Sequence, residues 1–144
     1  MGRGPGDIGY RCGSHRACER RSLMPMLTAN FSQRELACKC GCVTPAGVAR
    51  NLLKLAQALQ ELRDLAGSPI VITSGYRCPI HNRNVGGAQY SQHMQGTAAD
   101  IWSKSLTVNE LLALAEKIPA FADGGIGKYS RWIHVDIRQG RARW

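Results

Sequence analysis

The chain has 144 residues, 44% hydrophobic and 20% charged, a balance that excludes a wholly disordered or fibrous protein. Its formal charge of +9 points to polyanionic surroundings, with nucleic acid and an anionic cell wall as the two candidates. No apolar stretch reaches the roughly 18 residues that span a bilayer, and the length suits a single domain.

Residues 1–23 read as a basic, unstructured extension ahead of one domain over residues 24–144. The extension carries Arg3, Arg11, Arg16, Arg20 and Arg21 against Asp7 and Glu19, so it holds +3 of the net charge. It lacks the apolar run of about 7–15 residues that marks a signal peptide. The expectation is a chain made in the cytoplasm with its thiols reduced. Ser32, with Glu35 three residues on, forms a capping pair for a short helical turn. Lys39 to Val43 is a Cys/Gly-rich loop. Thr44-Pro45 should open the longest helix, with Thr44 as cap and Pro45 at the first helical position. Val48, Leu52, Leu55, Leu59, Leu62 and Ala66 then make one apolar stripe, and Gly67 ends it.

Pro69 to Ser74 is rich in β-branched residues and reads as a strand. Gly75 to Tyr90 reads as a long polar loop, and Thr97 to Ser103 as a second strand. Thr107 and Glu110 form a capping box for a helix through Ile118, stopped by Pro119. Gly125–Tyr129 and Trp132–Arg138 read as two further strands, and Gln139–Trp144 as a basic tail. The class is therefore α+β, with a small, mostly antiparallel sheet and flanking helices.

Strand alternation sorts the reactive residues. Ile133, Val135 and Ile137 share one face of the last strand, and His134 and Asp136 the other. In the Thr97–Ser103 strand, Asp100 shares a face with Ala98 and Trp102, opposite Ala99 and Ile101. An Asp inside a β-branched strand is notable, because its charge resists burial. If the two strands are neighbours, Asp100 and His134 meet, and His93 can fold over them from the loop just before. Two imidazoles and a carboxylate make a three-ligand set with room for a fourth position, as a catalytic zinc site requires. The cysteines Cys12, Cys18, Cys38, Cys40, Cys42 and Cys78 lack the paired C-x2-C spacing of a zinc ribbon. Cys38, Cys40 and Cys42 are open to a second metal, to a disulfide with Cys78, or to a loop of free thiols.

Ser74-Gly75-Tyr76-Arg77-Cys78, Asn82, Val85-Gly86-Gly87, Ser91-Gln92-His93 through Ala99-Asp100, and Ile133-His134-Val135-Asp136 resemble the peptidase M15 family. These are zinc D-Ala-D-Ala carboxypeptidases and related peptidoglycan peptidases that share the fold of the hedgehog signalling domain. The resemblance runs from about Asn30 to Arg138 and lies nearest the short single-domain subgroup. It implies a Zn2+ ion on His93, Asp100 and His134, and a substrate carboxylate held by Arg77. Ser91 would bind substrate or order its loop. Several members carry an acid three residues before the late histidine, where this chain has Arg131. Asp136 is then the expected general base, with Asp123 in reserve; Asp136 could instead orient a zinc ligand. His81 reads as a surface residue.

The resulting expectation is a monomeric zinc peptidase cutting peptidoglycan peptides at the cell wall, reached by a phage-type release route. One rival is a phage-type endolysin cutting the L-alanyl-D-glutamate bond. Another is a wall-binding module that holds zinc without catalysis. A nucleic-acid binder finds no RRM, KH or zinc-finger pattern to support it.

Overall fold

A computed structural model describes residues 25–144. The expected extension over residues 1–23 lies outside the described residues. After a short turn, α1 (Gln33–Leu36) is closed at its start by the Ser32/Glu35 capping box. The long helix α2 (Ala46–Ala66) begins one residue later than expected. Pro45 occupies the cap position with extended backbone, and Thr44 makes no capping bond. Helix ends commonly shift by a residue in this way. Gly67 ends α2 in the left-handed conformation, φ 68°, and its N–H reaches Arg63 O.

Five strands follow: β1 (Val71–Ser74), β2 (Ala98–Trp102), β3 (Gly125–Lys128), β4 (Ile133–Asp136) and β5 (Ala142–Arg143). Their order in the sheet is β1-β2-β4-β3-β5, antiparallel except for the parallel β3/β5 pair. The helix α4 (Val108–Ala115) carries the Thr107/Glu110 capping box. It stops before Ile118, and Pro119 opens a separate short helix, α5 (Pro119–Ala122). A proline breaks a helix interior but suits a first turn, so it ends one element and starts the next. The stretch expected as an uninterrupted loop, Gly75–Tyr90, contains a further helix, α3 (Pro79–Asn84), again opened by a proline. The basic tail is no tail at its end, since β5 docks on β3.

The alternation of apolar residues decides which sheet face meets the helices. Ile72, Ala99, Ile101, Ile126, Ile133 and Val135 are buried in one cluster with Leu52, Leu55, Leu59 and Leu62 of α2, Leu111 of α4 and Phe121 of α5. Burying each large side chain is worth about 1.5–3 kcal/mol, so this face holds the sheet rigid. The opposite face is left to polar groups. Among the described residues no helix is long and apolar enough to cross a membrane.

Candidate metal centre

Adjacent antiparallel strands place Asp100 of β2 directly opposite His134 of β4. His93 arrives from a 3-10 turn (Gln92–Gln95) just before β2. Ser91 caps that turn, its hydroxyl accepting the His93 N–H at 3.1 Å. Gly96 closes it at φ 75°, packed so tightly on Val48 of α2 that a Cβ would lie 2.7 Å from that side chain. Thr97 Oγ1 donates to Gln92 O at 3.0 Å and so ties the turn to the strand.

The three side chains converge. Asp100 Oδ1 lies 3.4 Å from His93 Nε2 and 3.3 Å from His134 Nδ1. Four-coordinate zinc with bond lengths near 2.1 Å sets neighbouring ligand atoms about 3.4 Å apart, so this spacing fits the ion. The far ring nitrogens fix the tautomers. His93 Nδ1 lies 2.8 Å from Gly75 O, which can only accept, so Nδ1 carries the proton and Nε2 presents a lone pair. His134 Nε2 lies 2.8 Å from Asp136 Oδ2, so Nε2–H donates there and Nδ1 presents its lone pair toward Asp100. Both imidazoles are thus held neutral-side inward by acceptors behind them, as metal-ligating histidines are.

In the metal-free chain a proton shared between Asp100 and the imidazoles takes the place of the ion. Burial pushes the Asp100 pKa up, but hydrogen bonds and charge from His134 and His93 outweigh it and hold the carboxyl well below its usual range. Burial works against the charged form of His134, yet Asp100 and Asp136 on either side raise its pKa.

Asp136 sits behind His134. It is fully buried, and both oxygens are taken. Oδ1 accepts from Gly125 N at 2.9 Å and from Arg138 N and Nε at 3.1 and 2.9 Å. Oδ2 accepts from His134 Nε2 and, at 2.7 Å, from Arg138 Nη2. This placement fits the alternative role, a carboxylate that orients a zinc ligand: it meets the His134 nitrogen turned away from Asp100 and is not on the cavity wall. Its pKa is pushed up by burial and pulled down further by His134 and Arg138, the net direction being down. A Cβ on Gly125 would strike this carboxylate, so the glycine makes the room for it.

Arg77 enters the same site. Its Nε donates to Ser74 Oγ at 3.0 Å, Nη1 to Asn82 Oδ1 at 3.2 Å and Nη2 to Asp100 Oδ2 at 3.3 Å. Each terminal nitrogen keeps a second N–H for a ligand. Asn82, buried in α3, also donates to Ala88 O at 2.9 Å, which positions it for Arg77. Arg77, Ser91, His93, Asp100 and His134 line one cavity of about 500 Å3, walled by Tyr129, Trp132, Trp144 and Arg138. Tyr129 and Trp132 stack at 4.8 Å. The Trp144 ring lies 5.0 Å from the His134 ring and under Arg138, and its Nε1 donates to Tyr129 Oη at 2.9 Å.

A profile described as Peptidase M15 matches residues 29–136. The chain belongs to the peptidase M15 family. It is also 41% identical over 83 residues to the zinc D-Ala-D-Ala carboxypeptidase of Streptomyces albus G, a match covering 53% of this chain and 32% of that relative. The chain therefore spans about a third of the length of that curated relative.

Set beside the expectations, this M15 site gathers His93, Asp100, His134, Arg77 and Ser91 around one cavity. Asp123 is exposed at the end of α5 and is not part of its wall; Arg131 is exposed and also outside it. Among the described residues lining the cavity, Asp100 is the single acid. His81 is half-buried in α3, away from the three ligands. Trp102, on the same strand face as Asp100, does not line the cavity; Trp132 and Trp144 do. Trp144 was hidden in an apparent basic tail. Its one signal was Gly127, alternating with Gly125 on the site face of β3: a Cβ there would strike the indole.

Proposed function

We propose that this M15 chain is a zinc-dependent peptidase that hydrolyses peptide bonds of bacterial peptidoglycan, as a D-Ala-D-Ala carboxypeptidase or murein endopeptidase acting at the cell wall. The observation that carries the reading is the convergence of His93 Nε2, His134 Nδ1 and Asp100 Oδ1, each histidine backed by an acceptor on its other nitrogen. His93, Asp100 and His134 would hold the zinc, which when bound supplies a Lewis acid for a peptide carbonyl and for water. Arg77 presents unshared N–H groups to the cavity and suits two-point binding of a peptide carboxylate, which lysine does less well. Asp136 positions His134, and Arg138 holds Asp136 in turn. Ser91 orders the His93 turn through its cap. Tyr129, Trp132 and Trp144 give one side of the cavity an aromatic wall. The net charge of +9 favours a wall rich in carboxylates and phosphates.

A second reading draws on the same site. With Asp136 engaged, no carboxylate on the cavity wall is spare to accept a proton, which favours a zinc-holding wall-binding module without turnover. One experiment separates these readings: purified muropeptides are digested with the zinc-loaded and the chelated full chain, and the products are read by mass spectrometry. Loss of a terminal D-Ala or cleavage of a cross-link, present with zinc and absent after chelation, is the expected result. Cleavage between L-Ala and D-Glu instead would assign the endolysin-type specificity. Binding without any cleavage at full zinc occupancy would establish the module.

A further inference from the structure

Four thiols lie together outside the cavity. Cys38, Cys40 and Cys42 come from the loop after α1, and Cys78 follows Arg77 directly at the start of α3. Their sulfurs all fall within 4.8 Å of one another. Cys38 and Cys40 Sγ are 3.3 Å apart, and Cys40 and Cys78 Sγ are 3.7 Å apart. These separations are well beyond a disulfide bond of about 2.05 Å, and all four are free cysteines. They are the separations of thiolates around one ion, since zinc–sulfur bonds near 2.3 Å place tetrahedral ligands about 3.8 Å apart.

We infer that Cys38, Cys40, Cys42 and Cys78 bind a second zinc ion, a closed structural site distinct from the His93/Asp100/His134 centre. The backbone is built for it. Gly41 N–H bonds to Cys38 O at 3.0 Å, and Gly41 sits at φ 85°, a turn that brings alternate cysteines of the loop to one side. Two backbone donors point at sulfur: Cys78 N–H to Cys38 Sγ at 3.3 Å, and His81 N–H to Cys78 Sγ at 3.4 Å. Donors of this kind offset the excess negative charge of four thiolates on a divalent ion. An all-thiolate tetrahedron selects zinc or iron over hard cations, and the redox-inert ion suits a site with a purely mechanical task.

That task is visible in what the cluster joins. Tyr76 N–H bonds to Leu36 O at 2.8 Å, and Gly75 packs so closely on the Leu36 backbone that a Cβ would lie 2.8 Å from its Cα. The same stretch supplies Gly75 O to His93 and Arg77 N–H to His93 O at 3.0 Å. An ion joining the Cys38–Cys42 loop to Cys78 therefore clamps the segment that aims both Arg77 and His93.

The test uses the full chain, purified under reducing conditions without chelator. Zinc analysis should give two equivalents per chain, falling to one in the Cys40→Ser/Cys42→Ser variant, whose changed side chains are exposed and leave no cavity. The cobalt-substituted protein should show an intense thiolate-to-cobalt charge-transfer band. That band should persist in His93→Ala and in Cys12→Ser/Cys18→Ser, and disappear in Cys40→Ser/Cys42→Ser. One equivalent of zinc unaffected by the cysteine pair, no charge-transfer band in the wild-type chain, iron in place of zinc, or a disulfide among these four cysteines would each overturn the assignment. Both readouts are independent of turnover, so a failed peptidase reading leaves this one standing.

Discussion

Asp136→Asn is the substitution that separates a positioning carboxylate from a general base. In the wild type this buried group accepts five hydrogen bonds, from His134, Gly125 and three Arg138 donors. The amide keeps the shape but loses the charge, and its NH2 must face either His134 Nε2–H or Arg138, donor against donor. Breaking a buried, hydrogen-bonded ion pair in this way costs about 3–5 kcal/mol. For a domain of this size the melting temperature should fall by roughly 10–20 °C. His134 also loses the acceptor that sets its tautomer, which should weaken zinc affinity about 10–100-fold. Zinc competition titration, thermal melting and activity against zinc concentration measure all three. The positioning role predicts that raising zinc restores most of the activity. An unchanged melting temperature and zinc affinity, with activity absent at full occupancy, would refute the geometry argued above and return Asp136 to proton transfer.

Arg77→Lys removes the bonds to Ser74 and Asn82 along with the second prong. It should raise KM about 10-fold or more for peptides with a free carboxylate, and change KM little for the amidated peptide. Gly127→Ala places a methyl group against the Trp144 indole. Overpacking of about 1–3 kcal/mol should appear as a lower melting temperature and a shifted tryptophan fluorescence maximum as the ring leaves the His134 wall. Glu116 binds Arg143 at 2.7 Å, which holds its carboxyl below the usual value of 4.5. That contribution is complete above about pH 4.5 and is lost as pH falls through the lower folded value. Glu116→Gln should therefore melt lower at pH 7 and lose less on acidification than the wild type, while an identical acid limb would exclude the pair as a strut for β5.

Local physics was readable along the chain. Both capping boxes, at Ser32 and Thr107, use groups three residues apart, and the Val48–Ala66 stripe needs only helical periodicity. Alternation alone put His134 and Asp136 on one face and Ile133 and Val135 on the other, because consecutive strand residues point oppositely. What Asp136 does there was beyond that reach. Two-residue spacing says that it shares a face with His134, whereas the Gly125 N–H that helps fill its oxygens comes from a different strand. Trp144 was hidden for the same reason, whereas the sequence already offered Cys38, Cys40, Cys42 and Cys78 a second metal, a disulfide or free thiols as alternatives. The Trp144 partner, Tyr129, is 15 residues away, and only the docking of β5 parallel to β3 brings the two into contact. Amino-acid order thus determined the main elements and the faces they present, since those arise from forces acting over one or two turns, but not α3 or β5. Which buried oxygen meets which proton was decided by packing between distant strands, as where Gly125 of β3 donates to Asp136 of β4.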